Sequence, residues 1–103
     1  MAHALVITTT DSADVAGQLA EAAVRERLAA CAQVLGPVTS TYRWQGRVET
    51  AQEFQVHFKT ARPDELIAHL GAAHPYDEPE LISVPITGGS PGYLAWLTAE
   101  SGA

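Results

Sequence analysis

VTSTYRWQGRVETAQEFQVHFK, residues 38–59, is a hairpin written into the sequence. Val38, Ser40, Tyr42 and Trp44 share one side of an extended chain, and Thr39, Thr41 and Arg43 share the other, because successive side chains on a strand alternate. Gln45-Gly46 is a turn signal. The return arm sets Phe54, Val56 and Phe58 against Glu53, Gln55, His57 and Lys59, which predicts one buried and one wetter face. Just upstream, Cys31 to Leu35 is an apolar stretch that extends the first arm. Gly36-Pro37 interrupts it and marks a bulge or bend.

Outward from the hairpin, helices and strands alternate. Ala4 to Thr10 reads as a central strand, and Asp11 or Ser12 caps a helix running to about Ala30. Ala16, Leu19, Ala20, Ala23, Val24 and Leu28 form the expected inner face of that helix, with Glu21 and Arg25 as a surface pair. Pro63 opens a second helix whose stripe is Leu66, Ile67, Leu70 and Ala73, ended by His74-Pro75. Leu81 to Ile86 is a fourth strand, placed at an edge or strand end by Pro85. Ser90-Pro91 opens a last helix carrying Tyr93, Leu94, Trp96 and Leu97. The order β-α-β-β-α-β-α predicts one α+β domain over residues 1–103. It is a ferredoxin-like split βαβ sandwich with two helices on one sheet face. The other face, the long hairpin and the last helix then lack cover, which makes self-association the physical expectation.

Composition narrows the function. The 103 residues carry 6 Lys and Arg against 12 Asp and Glu, a formal charge of −6. Without a basic cluster the chain lacks the electrostatic footprint of a nucleic-acid binder. Cys31 is the single cysteine, so no intrachain disulfide or multi-cysteine zinc site is available, and a lone thiol fits a reducing compartment. The amino terminus lacks the pattern of a signal peptide, and no apolar run spans a bilayer; cytoplasm is the expected location. Gly88-Gly89-Ser90-Pro91-Gly92 lacks the lysine of a phosphate loop. Neither a nucleophile elbow nor a His-Glu-x-x-His helix occurs, so no enzyme activity and no organic cofactor are expected.

Several motifs are familiar as an ordered set. Arg27-Leu28-Ala29-Ala30-Cys31-Ala32-Gln33-Val34 and Ser40-Thr41-Tyr42-Arg43-Trp44-Gln45-Gly46 come first. Lys59-Thr60, His74-Pro75-Tyr76, Pro79-Glu80 and Tyr93-Leu94-Ala95-Trp96-Leu97 follow. In order and spacing they resemble the CutA divalent-cation tolerance family over nearly the whole chain. The resemblance implies a ferredoxin-like fold, a tight homotrimer like the PII signalling trimers, and a part in tolerance of copper and other divalent cations. Some members carry a first-strand cysteine and a His-His pair before Pro-Tyr as copper-binding candidates; those positions here are about Thr8 and Ala73-His74.

Three candidate sites follow from the residues. His74, Asp77, Glu78 and Glu80 form the densest set of possible ligands for a divalent Cu, Zn or Mn ion, against a plain reading as solvated loop charges and a packing histidine. Tyr42, Arg43, Trp44 and Lys59 offer stacking walls and anion donors for a cleft between subunits, as in a PII-like module binding a small anionic ligand or a signalling partner. The alternative is interface packing. Cys31 is a small buried residue or a thiol ligand with Arg27 as its nearest cation. His3, His57 and His69 read as surface histidines.

Overall fold

The computed structural model describes residues 3–102, and the hairpin is its longest feature. The elements are β1 (His3–Thr10), α1 (Ala13–Arg25), β2 (Cys31–Trp44), β3 (Arg47–Thr60), α2 (Pro63–Ala73), β4 (Leu81–Ile86) and α3 (Pro91–Ser101). The strands form one antiparallel sheet in the order β2-β3-β1-β4. This is the ferredoxin-like arrangement expected from the sequence. Pro85 sits in an edge strand, the place in a sheet where a residue without an N–H is tolerated.

Strand alternation sorts the sheet into two faces. Val6, Val56 and Phe58, all fully buried, face α1 and α2. Ala16, Leu19 and Ala23 of α1 and Leu66 and Leu70 of α2 meet them there. Each large side chain so buried contributes about 1.5–3 kcal/mol of transfer free energy. Leu5, Ile7, Gln55, His57 and Lys59 lie on the opposite face, beside Ile82 and Val84 of β4. Helix α3 covers one end of that face, where His3, Cys31 and Ile86 meet it, while Ile82 and Val84 stay exposed.

The bulge in β2 matters most for function. Leu35 pairs with Gln55 and Val38 with Glu53, so two β2 residues stand against one on β3. An inserted residue in a period-2 element switches the faces. Cys31, Gln33 and Leu35 therefore share the open face with Val38, Ser40, Tyr42 and Trp44. Gly36 permits this: its φ is +136°, and a Cβ there would lie 3.0 Å from the Phe54 ring and 3.1 Å from the Glu53 carbonyl oxygen. Beyond Thr10, where β1 ends, the two-stranded arm continues alone and stretches the molecule to 44 Å.

Several expectations are corrected. Helix α1 stops at Arg25, short of Ala30, although no glycine marks its end. Arg27 takes the left-handed conformation (φ 59°) that usually falls to glycine, and Leu28 and Ala29 both donate back to the Ala23 carbonyl. Long-range bonds hold Arg27 in place. Its guanidinium donates to the Ala99 carbonyl at 2.9 Å, and its own carbonyl accepts from Arg62 at 2.8 Å. The shorter helix leaves Val24 exposed, while Leu28 packs half-buried against the core. Ala73 is exposed because α2 turns it away from the sheet, whereas Leu66 and Leu70 are fully buried. His3, His57 and His69, expected at the surface, are half-buried, and His3 Nε2 lies 2.7 Å from Thr98 Oγ1.

Helix α3 is anchored at its carboxyl end. Ser101 Oγ donates to the Leu97 carbonyl and accepts from the Ala61 N–H, and Arg62 Nε donates to the Ser101 carbonyl at 2.8 Å. Leu97 is fully buried, whereas Tyr93 and Trp96, tilted against each other with ring centroids 5.4 Å apart, remain more than 40% exposed.

Candidate functional site

A cavity of about 800 Å³ opens on the sheet face opposite α1 and α2, between the hairpin arm and the loop before β4. Thr9, Ser40, Thr41, Tyr42, Trp44 and Glu53 supply its sheet side, and residues 75–80 supply the other. The β2 bulge aims Tyr42 and Trp44 into this space, since without it they would share the helix-covered face. The loop is tied down by His74, which is 8% exposed. Its Nε2 lies 2.7 Å from the Thr9 carbonyl, which can only accept, so Nε2 carries the proton. Its Nδ1 accepts from the Tyr76 N–H at 3.1 Å, and the two rings lie tilted at 59° with centroids 4.8 Å apart.

Tyr76 then reaches across the cavity floor and donates its hydroxyl to Glu53 Oε2 at 3.1 Å. Glu53, expected on the wetter face, is 9% exposed because this loop, 23 residues downstream, covers it. Burial, reinforced by the hydrogen bond and negative charge of Glu53, pushes the Tyr76 hydroxyl up to about 12. Asp77, Glu78 and Glu80 line the same cavity, whose lining includes no lysine or arginine.

The two candidate sets therefore merge in part. Tyr42 and Trp44 join Asp77, Glu78 and Glu80 around one acidic cavity. His74 lies beneath the loop, with both ring nitrogens engaged by backbone groups, and offers no free lone pair to an ion in this arrangement. Among the described residues, no three His, Cys, Asp or Glu side chains converge as a set able to hold a metal ion. Arg43 is exposed and does not line the cavity. Lys59 pairs with Leu5 toward the far end of the sheet and donates to Gln33 Oε1 at 2.6 Å. An anion-binding cleft built from Arg43 and Lys59 is therefore not assembled within the chain.

Cys31 is half-buried beside Tyr93, and burial, followed by the Cys31 contact, pushes the Tyr93 hydroxyl up. Its expected cation, Arg27, is committed to Ala99 and lies 3.7 Å from Glu100. Sequence reasoning missed Glu53, Tyr76 and Thr9 as site residues. The alternation placed Glu53 on the correct face, but its burial depends on a tertiary contact that no local pattern encodes.

The comparisons with known proteins agree with this architecture. A sequence profile of the CutA1 divalent ion tolerance protein family matches residues 4–100. The chain is 40% identical over 103 residues to the divalent-cation tolerance protein CutA of Pectobacterium atrosepticum, covering 97% of this chain and 94% of that one. The solved structure of the Thermus thermophilus divalent cation tolerance protein superposes with a TM-score of 0.93 at 40% identity, over 96% of this chain and 98% of that one. A structure described as the periplasmic divalent cation tolerance protein CutA of Archaeoglobus fulgidus superposes at 0.91 with 29% identity, over 96% and 98%. The chain belongs to the CutA1 divalent ion tolerance family.

Proposed function

We propose that the chain serves divalent-cation tolerance as a cytoplasmic, non-enzymatic homotrimer whose acidic cavity, set at the cleft between subunits, is where it meets cations. The observation that carries this reading is the placement of Glu53, Asp77, Glu78 and Glu80 around one space with no basic residue in its lining. Cu(II), Zn(II) or Mn(II) would be held weakly there, by carboxylates and retained water, since among the described residues no three ligands converge. The trimer is supported by apolar surface on three separate parts: Ile82 and Val84 on the open face, Trp44 and Val48 on the arm, and Tyr93 and Trp96 on α3. A cytoplasmic location is supported by the lone thiol. Among the described residues no helix is long and apolar enough to cross a membrane.

The test is light scattering and isothermal titration in one buffer on metal-stripped protein. A mass three times 10.9 kDa and saturable binding of at least one of the three ions, weakened by Glu80→Gln, is expected. A monomer, or no heat up to ~1 mM ion, about −4 kcal/mol, overturns the reading.

A further inference from the structure

The cavity is built for something larger than an ion. Its volume of about 800 Å³ lies in the range of organic-ligand pockets. Its carboxylates stand on both sides without converging: four line the cavity, yet no three form a metal-ligating group among the described residues. Three aromatic residues, Tyr42, Trp44 and Tyr76, line the same space. Glu53 is the deepest member, nine-tenths buried, and its one side-chain partner is the Tyr76 hydroxyl at 3.1 Å. A carboxylate taken so far from water is costly unless a cation joins it, and among the described residues no lysine, arginine or histidine pairs with it.

Separated negative charges and aromatic side chains lining one space match a ligand that carries separated positive charges on an apolar chain. Ammonium groups spaced along a methylene chain can each take a carboxylate, while the methylenes and the cationic heads lie against the rings. We propose that this cavity binds an aliphatic polyamine, with one ammonium on Glu53 beside Tyr76, a second on the carboxylates of residues 77–80, and the chain between them along Tyr42 and Trp44. The proposal rests on the reading of the cavity as a cation site and names the class of cation that fits it. A single metal ion uses neither the volume nor the aromatic walls, and an anion is repelled by every charged group in the lining.

Isothermal titration of the full chain with spermidine tests this, beside parallel titrations with Cu(II), Zn(II) and Mn(II). Saturable binding at one spermidine per chain is expected, weakened about tenfold by Glu53→Gln, as one lost charge-assisted contact implies. Glu80→Gln, which leaves the buried pair with Tyr76 untouched, should weaken binding severalfold, while Glu21→Gln on the outer face of α1 should leave it unchanged. No saturation by ~10 mM spermidine, or equal weakening in all three variants, overturns the proposal. Metal binding without spermidine binding sinks the polyamine and leaves the metal reading standing; the reverse result sinks the metal and keeps the polyamine.

Discussion

Two buried threonines on neighbouring strands show how burial acts through individual atoms. Thr60 Oγ1 donates to the Leu28 carbonyl at 2.6 Å and accepts from the Arg62 N–H at 2.8 Å, so it closes the turn after α1 onto the end of β3. Thr8 is equally buried, but its hydroxyl has no partner among the described residues. The same substitution should therefore have opposite signs. Thr60→Val orphans two backbone groups and should destabilise the fold by about 2 kcal/mol, whereas Thr8→Val removes an unpaired hydroxyl and should stabilise it by about 1 kcal/mol. Urea melts of the two variants check this; equal signs would contradict it. Thr8 stands where some relatives of this family are expected to carry a cysteine, and its side chain faces the helices.

Tyr76 makes a pH prediction at the same scale. Its folded-state value of about 12 lies above the ordinary 10.0, so the folded state resists ionisation of this hydroxyl. The stability that this contributes is fully present below pH 10 and is lost as pH rises toward 12. Tyr76→Phe should flatten that part of the stability-versus-pH curve, read as the alkaline shift in unfolding midpoint. An unchanged slope would mean that the contact with Glu53 does not persist in solution.

At the scale of elements, the bulge at Gly36 is the device that creates the site. It carries Tyr42 and Trp44 onto the open face, and it needs a residue without a Cβ at positive φ. Gly36→Ala should cost about 2 kcal/mol through clash and backbone strain. It should also blunt any ligand response at the cavity, since the arm would be displaced; a calorimetric melt equal to wild type contradicts the assignment. The Gly-Pro interruption was readable as a bulge, and strict alternation made both arms legible. What alternation could not supply was the covering of Glu53 by Tyr76, since contacts 23 residues apart leave no local period. The end of α1 was illegible for a related reason. Arg27 replaces the expected glycine signal with bonds to Ala99 and from Arg62, groups 72 and 35 residues away. His74 was legible as a helix stop, and its residue type invited a metal role. Only the geometry shows that Thr9 and Tyr76 occupy both ring nitrogens.

At the scale of the whole molecule, a single chain leaves part of one sheet face, a projecting arm and the Tyr93–Trp96 pair in solvent. The homotrimer proposed above would cover these surfaces and turn the acidic cavity into a cleft between subunits. Assembly and cation binding are then two aspects of one claim, so a single observation can address both. Crystals soaked in Mn(II), measured near the manganese absorption edge, give the assembly and the ion positions together. The account predicts a threefold assembly with anomalous density against the Glu53 and Glu80 walls at three equivalent clefts. Density confined to other surfaces, or an assembly that leaves the arm and the open face bare, would contradict it.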